Sequence, residues 1–222
     1  MSKMDNLRAM REARYDKAAA RAKQAGGAGR YRHNSDPRKE ECVRKVVVYT
    51  LVSVDGVAQD PETFLFDFDK TMEANLAEVI GTQDVVLLGR RMYDEWSSYW
   101  PKSDDQPFAD FINNVHKYVA TASPLTNEWT AAEAIQGPVD DFVRELKAGQ
   151  GGDIGVHGSI SLAQHLLAQG LVDELRLLVA PHVVGTGRRL FEDDDAYSLE
   201  LVGSTASPSG SLLIHYRVIV GE

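Results

Sequence analysis

The segment at residues 84–88 (DVVLL) places four apolar side chains on four consecutive positions. A strand of this kind turns apolar groups to both of its faces, so it is stable only inside a sheet covered on both sides. That condition asks for helices above and below the sheet, and the rest of the chain supplies them in alternation. Residues 44–54 (RKVVVYTLVSV) read as a β-branched and aromatic strand that stops at the turn Asp55-Gly56. Phe64, Phe68, Met72, Leu76 and Ile80 recur near every fourth residue and predict an amphipathic helix ending by Gly81. After DVVLL, GRRMYDEW opens a short helix, and residues 117–123 (KYVATAS) form a strand. Val139, Phe142, Val143 and Leu146 line a further helix, followed by a short strand at 153–157 (DIGVH). Ile160, Ala163 and Leu167 share a helical face that stops at Gly170. Residues 175–184 form a long strand. Two more strands, 198–207 and 211–220, close the chain around the turn Pro208-Ser209-Gly210. Alternation followed by an all-strand ending predicts an α/β fold: a mostly parallel sheet with flanking helices and an antiparallel C-terminal hairpin.

Charge divides the chain in two. Residues 1–42 carry 11 Lys+Arg against 6 Asp+Glu, whereas residues 43–222 carry 13 against 27. The first part is a basic extension whose segment 5–24 has good helix formers but only a short apolar stripe, and Gly26, Gly27 and Gly29 break it. One domain is expected over residues 43–222. Its acidic body argues against a duplex-binding surface, because phosphate binding needs concentrated Lys and Arg. No apolar run approaches the roughly 18 residues of a membrane helix. The sole cysteine, Cys42, excludes an internal disulfide framework and fits a reducing, cytoplasmic setting.

Open α/β sheets bind ligands beyond the carboxyl ends of their strands, so the loops leaving strands are the candidate sites. Gly89-Arg90-Arg91 directly follows DVVLL, and two guanidiniums at a helix start suit a phosphate. Gly158-Ser159 leads from strand DIGVH into the next helix, where glycine permits close approach and the helix N–H groups face an anion. The six histidines show no metal-ligand spacing, so no metal site is expected. Ser159 lacks a GxSxG elbow, which leaves a hydrolase reading resting only on the neighbouring His157. Trp96, Tyr99 and Trp100 read as packing groups that could also stack on a flat ring.

The series VSVDG, LLGRRMYDEW and GDIGVHGSISLAQHLLAQGLVDELRLLVAPHVVGTGRRLF resembles the dihydrofolate-reductase-like family, in the branch of the bacterial riboflavin-biosynthesis reductase domain. The resemblance spans about residues 45–220 and implies a twisted sheet of about eight strands that binds NADPH across its strand ends. By resemblance, Gly89, Arg90 and Arg91 hold the adenosine 2'-phosphate, and Thr121 and Ser123 lie beside the adenosine. Gly158, Ser159 and Ile160 present backbone donors to the pyrophosphate, and Val52, Asp55 and Gly56 pass near the nicotinamide. His157, where the family often has glycine, lies against cofactor or substrate or else in the core. Met92 replaces a threonine common in the family's arginine loop. The family also uses a carboxylate of the first helix. Asp67 and Asp69 are the candidates, with Glu73 nearby; the two aspartates face apart, so only one points into the cleft. Desolvation there would raise its pKa and suit it to proton donation.

The function these residues imply is NADPH-dependent hydride transfer to a C=N or C=O bond of a small heterocycle related to pyrimidines, pterins or flavin precursors. A homodimer is implied by the same resemblance. No deaminase zinc motif accompanies the reductase-like block, so the bifunctional riboflavin enzyme is excluded. The competing reading is a non-catalytic nucleotide-binding protein that engages a partner through its basic arm.

Overall fold

The computed structural model describes residues 44–192 and 196–219. The basic extension at 1–42, including the segment 5–24 with its helix-forming composition, the acidic run at 193–195 and the final residue expected of the last strand lie outside the described residues.

Eight strands form one sheet in the order β4-β3-β2-β5-β1-β6-β8-β7. They are β1 (Val46–Ser53), β2 (Gln83–Gly89), β3 (His116–Ala120), β4 (Ala132–Ala134), β5 (Asp153–His157), β6 (Glu174–Ala180), β7 (Ser198–Ala206) and β8 (Leu212–Ile219). Every pairing from β4 across to β6 is parallel, and β8 pairs antiparallel with both β6 and β7. The helices are α1 (Lys70–Ile80), α2 (Arg90–Tyr99), α3 (Phe108–Asn114), α4 (Val139–Ala148) and α5 (Ile160–Ala168).

Side-chain alternation along the central strand assigns the helices to faces. Val46, Val48 and Val52 of β1 pack with Val143 of α4 and with Leu162, Ala163 and Leu166 of α5. Val47 and Tyr49 turn the other way, to Leu76, Val79 and Ile80 of α1, Tyr93 of α2 and Ile112 of α3. Both faces are covered, as the apolar DVVLL run requires.

Three boundaries differ from the sequence expectation. The first helix begins at Lys70 rather than near Phe64, because the Asp69 carboxylate accepts the Thr71 and Met72 N–H groups and caps it there. Phe64 instead packs with Val57 and Ala180 in a small cluster of its own, outside the helix despite its helical spacing from Met72. Strand β6 stops at Ala180, where Pro181 removes the next ladder donor. Strand β3 ends at Ala120, which leaves Thr121 and Ser123 in the following loop. Helix α3 and the short edge strand β4 were not anticipated. Lys117 is wholly buried beside α3 and donates to the Ile112 and Val115 carbonyls at 2.8 and 2.6 Å. Burial lowers its pKa to about 8.

Candidate active site

Strands β2 and β5 are parallel neighbours, so the helices that follow them start side by side at the carboxyl edge of the sheet. Neither start is capped by a side chain: Gly89 has none, and Ser159 spends its hydroxyl elsewhere. Ser159 Oγ accepts the Gly89 N–H at 2.9 Å, tying the two loops together. The first-turn N–H groups of both helices therefore have no intrahelical partner, and both macrodipoles favour negative charge at this point. Gly158 has φ +65°, and a Cβ there would meet Met92 Cε at 2.9 Å and Trp96 Cζ2 at 3.0 Å. Only glycine lets the chain pass beneath α2 in this conformation. Gly89, Arg90, Arg91, His157, Gly158, Ser159 and Ile160 all line one cleft of about 1220 Å³. Two uncapped helix starts and a glycine that keeps the backbone open form a donor set suited to the phosphates of a dinucleotide.

The two arginines differ in freedom. Arg90 Nε donates to both carboxylate oxygens of Asp94 at 2.9 and 2.8 Å, and Nη1 donates to Ser123 Oγ at 2.8 Å and the Pro124 carbonyl at 2.9 Å. Arg90 thus fastens the loop after β3 to α2, and Thr121 and Ser123 surround its guanidinium rather than lining the cleft. Arg91 is 66% exposed and pairs with Glu95 at 2.8 Å and Asp60 at 3.7 Å. Exposed pairs of this kind contribute about 0–1 kcal/mol, so Arg91 can be redirected to an arriving phosphate at small cost.

Val52, Asp55 and Gly56 do not line the cleft. Val52 is buried in the core on the α4–α5 face. The Asp55 carboxylate accepts from Ser53 Oγ at 2.7 Å and from the Val184 and Gly185 N–H groups at 3.0 and 2.9 Å. The Ser53 hydroxyl and these two amides hold it well below the usual carboxylate range. Asp55 and Gly56 (φ +83°) shape the junction between the strand end and the loop around Gly185, and the next residues, Ala58 to Glu62, reach the cleft.

The carboxylates near the first helix also separate. Asp67 is exposed, and neither it nor Asp69 lines the cleft. For Asp69 burial works to raise the pKa, but hydrogen bonds from the Ser209 and Met72 amides and from the Ser209 and Ser207 hydroxyls outweigh it and hold the group at about 2. Asp69 is an ionised helix cap that also receives the Ser209 N–H at 3.1 Å, which pins the C-terminal hairpin turn. The cleft-lining carboxylate of α1 is Glu73, in the first turn of the helix.

His157 both lines the cleft and sits in the core, 2% exposed. Its Nε2 lies 2.8 Å from Gln83 Oε1, and its ring packs against Tyr49, Phe108 and Phe111. Burial lowers its pKa to about 3, so the ring is neutral. A neutral ring that donates through Nε2 leaves Nδ1 as an acceptor.

The remaining wall is aromatic. Trp96, Trp100 and Phe108 pack edge to face, with centroids 4.8–5.7 Å apart, and all three line the cleft. Met92, Trp96 and Trp100 follow one another at i, i+4 and i+8, a stripe legible in the sequence once GRR is taken as the helix start. Met92 places its thioether against Gly158. Asp60 and Glu62 also line the cleft. No local pattern marks them, because their loop reaches the site only through the fold.

A model of the family described as "RibD C-terminal domain" matches residues 44–213. The chain is 28% identical over 181 residues to the uncharacterized protein YyaP of Bacillus subtilis (strain 168), spanning 78% of this chain and 95% of that one. A pyrimidine reductase-like protein from Corynebacterium diphtheriae superposes with a TM-score of 0.60 at 18% identity, covering 80% of this chain and 93% of the other. A dihydrofolate reductase from Enterococcus faecalis, solved in complex with NADP(H), superposes with a TM-score of 0.54 at 12% identity, covering 78% and 96%. At these identities the two structures show the fold, which is dihydrofolate-reductase-like.

Proposed function

Because the chain belongs to the RibD C-terminal domain family, we propose that it is an NADPH-dependent reductase of a small heterocycle. The observation that carries this reading is the pair of uncapped helix starts, joined by the Gly89–Ser159 hydrogen bond and opening into a single cleft that reaches both faces of the sheet. The first-turn amides of α2 and α5 and the backbone at Gly158 would hold the diphosphate, and Arg91 the 2'-phosphate. Arg90 keeps its bonds to Asp94 and Ser123 and positions that corner. When bound, the dihydronicotinamide supplies a hydride to a C=N or C=O carbon of the substrate.

The chain's own residues orient and protonate. Trp96, Trp100 and Phe108 exclude water and stack on a flat ring. Glu73, the cleft-lining carboxylate of α1, orients the ring and delivers the proton that follows the hydride, directly or through one water. Asp69, ionised and engaged as a cap, does not serve as that donor.

The same reading carries a cytoplasmic setting and a homodimer formed through the C-terminal hairpin, where edge strand β7 exposes Leu201 and Val202. No helix among the described residues is long and apolar enough to cross a membrane.

The test is a fluorescence titration of the purified chain with NADPH and NADH. Tighter binding of NADPH supports the assignment, and absence of binding by either nucleotide overturns it.

A further inference from the structure

Six carboxylates line the cleft: Asp60, Glu62, Glu73, Glu95, Asp104 and Asp105. They come from the loop after β1, from α1, from the second turn of α2 and from the loop before α3. Three arginines share the lining, and each is already paired: Arg90 with Asp94, Arg91 with Glu95 and Asp60, and Arg188 with Glu192. Glu62 and Asp104 have no cationic partner among the described residues, and Asp105 accepts only from the Tyr99 and Ser103 hydroxyls. Away from the two helix starts the cleft therefore carries an excess of negative charge, and apolar walls focus such a field rather than dissipate it.

The walls themselves are built for a ring. Trp96, Trp100 and Phe108 line the cleft together. Tyr49 and Trp100 line it too, and Tyr49 Oη and Trp100 Nε1 are buried with no hydrogen-bond partner. Buried donors left unpaired in a native fold call for an acceptor, and ring nitrogens or ring carbonyls provide one.

We infer that the substrate is a flat nitrogen heterocycle, neutral or cationic, that carries no phosphate or carboxylate tail. The inference rests on the reductase reading and narrows its substrate class. A phosphorylated or carboxylated tail leaving the aromatic slot would meet the unpaired carboxylates of the rim, whereas an amine or hydroxyl would be accepted there.

Two measurements test this on the intact chain. The first is tryptophan quenching by caesium and by iodide, each normalised to free N-acetyltryptophanamide, since Trp96 and Trp100 lie in the cleft. Caesium should be the more effective quencher, and the double variant Glu62→Gln with Asp104→Asn should narrow the difference. Quenching by iodide equal to or above that by caesium overturns the charge argument. The second is a titration with 6-hydroxymethylpterin and pterin-6-carboxylate, which share a ring and differ in tail charge. The neutral pterin should bind on the order of tenfold more tightly, as expected of a few carboxylates several ångströms away in a solvated cleft. That gap should shrink at 1 M salt, where the Debye length falls to about 3 Å, and also in the double variant. Equal or tighter binding of pterin-6-carboxylate overturns the proposal, as does failure of both pterins to bind. A parallel NADPH titration separates the two levels: binding of NADPH with the wrong pterin preference removes only this inference, and no binding of NADPH removes the reductase reading itself.

Discussion

Gly158→Ala strains the loop between β5 and α5 in two ways. The residue has φ +65°, and adopting that region costs a non-glycine residue about 1–2 kcal/mol. The new Cβ would also lie 2.9 Å from Met92 Cε and 3.0 Å from Trp96 Cζ2. Met92 Cε is the tip of a flexible side chain and can swing aside cheaply. Trp96 cannot, because Trp100 and Phe108 hold its ring at centroid distances of 5.7 and 5.5 Å. The backbone at 158–160 must therefore shift, adding about 1 kcal/mol of packing strain. Gly137→Ala is the matched control, since φ is +82° there and no atom lies within 4 Å of the new methyl. At about 2–4 °C per kcal/mol for a chain of this size, Gly137→Ala should lower Tm by ~2–8 °C and Gly158→Ala by ~4–12 °C in differential scanning fluorimetry. The functional difference should be larger. Gly158→Ala should raise the NADPH Kd at least about tenfold, the equivalent of 1.4 kcal/mol, while Gly137→Ala leaves it unchanged. A Gly158→Ala protein that binds NADPH with wild-type Kd would refute the assignment of this backbone to the diphosphate. A Tm loss no greater than that of the control would refute the contact argument.

Arg91→Ala should remove most of the preference for NADPH over NADH with little loss of Tm, whereas Arg90→Ala should lower Tm and weaken both nucleotides together. Paired titrations distinguish the two, and identical profiles would contradict the division of labour drawn from their partners. Glu73→Gln should reduce turnover by about 10²-fold or more at unchanged NADPH affinity, as for loss of a general acid; wild-type turnover would move the proton donor elsewhere. His157 is neutral in the fold, with its pKa lowered from 6.5 to about 3. Above pH 6.5 neither state holds the proton. Between 6.5 and about 3 the unfolded chain binds a proton that the native chain refuses, so stability is lost as the pH is lowered, by up to ~1.4 kcal/mol per unit. Urea unfolding of His157→Gln across that window should show a shallower acid limb, and an unchanged limb would show that other groups set it.

Much of the framework follows from short-range pattern. Four consecutive apolar residues in DVVLL demand a doubly covered strand, and the alternation of strand and helix before a terminal hairpin leaves few topologies for the sheet. The placement of Gly89-Arg90-Arg91 and Gly158-Ser159 on loops that leave strands is equally local, because a strand followed at once by a helix start can be read within ten residues, whereas the pairing of those two strands belongs to the sheet order. The pattern failed where the deciding partner is distant. Phe64 has helical spacing from Met72 but packs against Val57 and Ala180, and nothing within the segment reveals that. Asp69 looked like a candidate proton donor, yet Ser209, 140 positions away, turns it into an ionised cap.

Residue type and spacing dictate which groups can bind a phosphate, stack on a ring or carry a proton. They do not say which of several equivalent groups remains free. Arg90 and Arg91 are adjacent and chemically identical. Ser123 and Pro124, more than thirty residues downstream, occupy the first, while the second, held only by exposed carboxylates, stays available. His157 could have been a ligand or a core residue, and burial beside Gln83 on the neighbouring strand and among three aromatic rings makes it a neutral core residue whose ring also lines the cleft. Hydrogen-bonding capacity is a property of the side chain, but its vacancy is a property of the fold, because the partners that consume it arrive from anywhere along the chain.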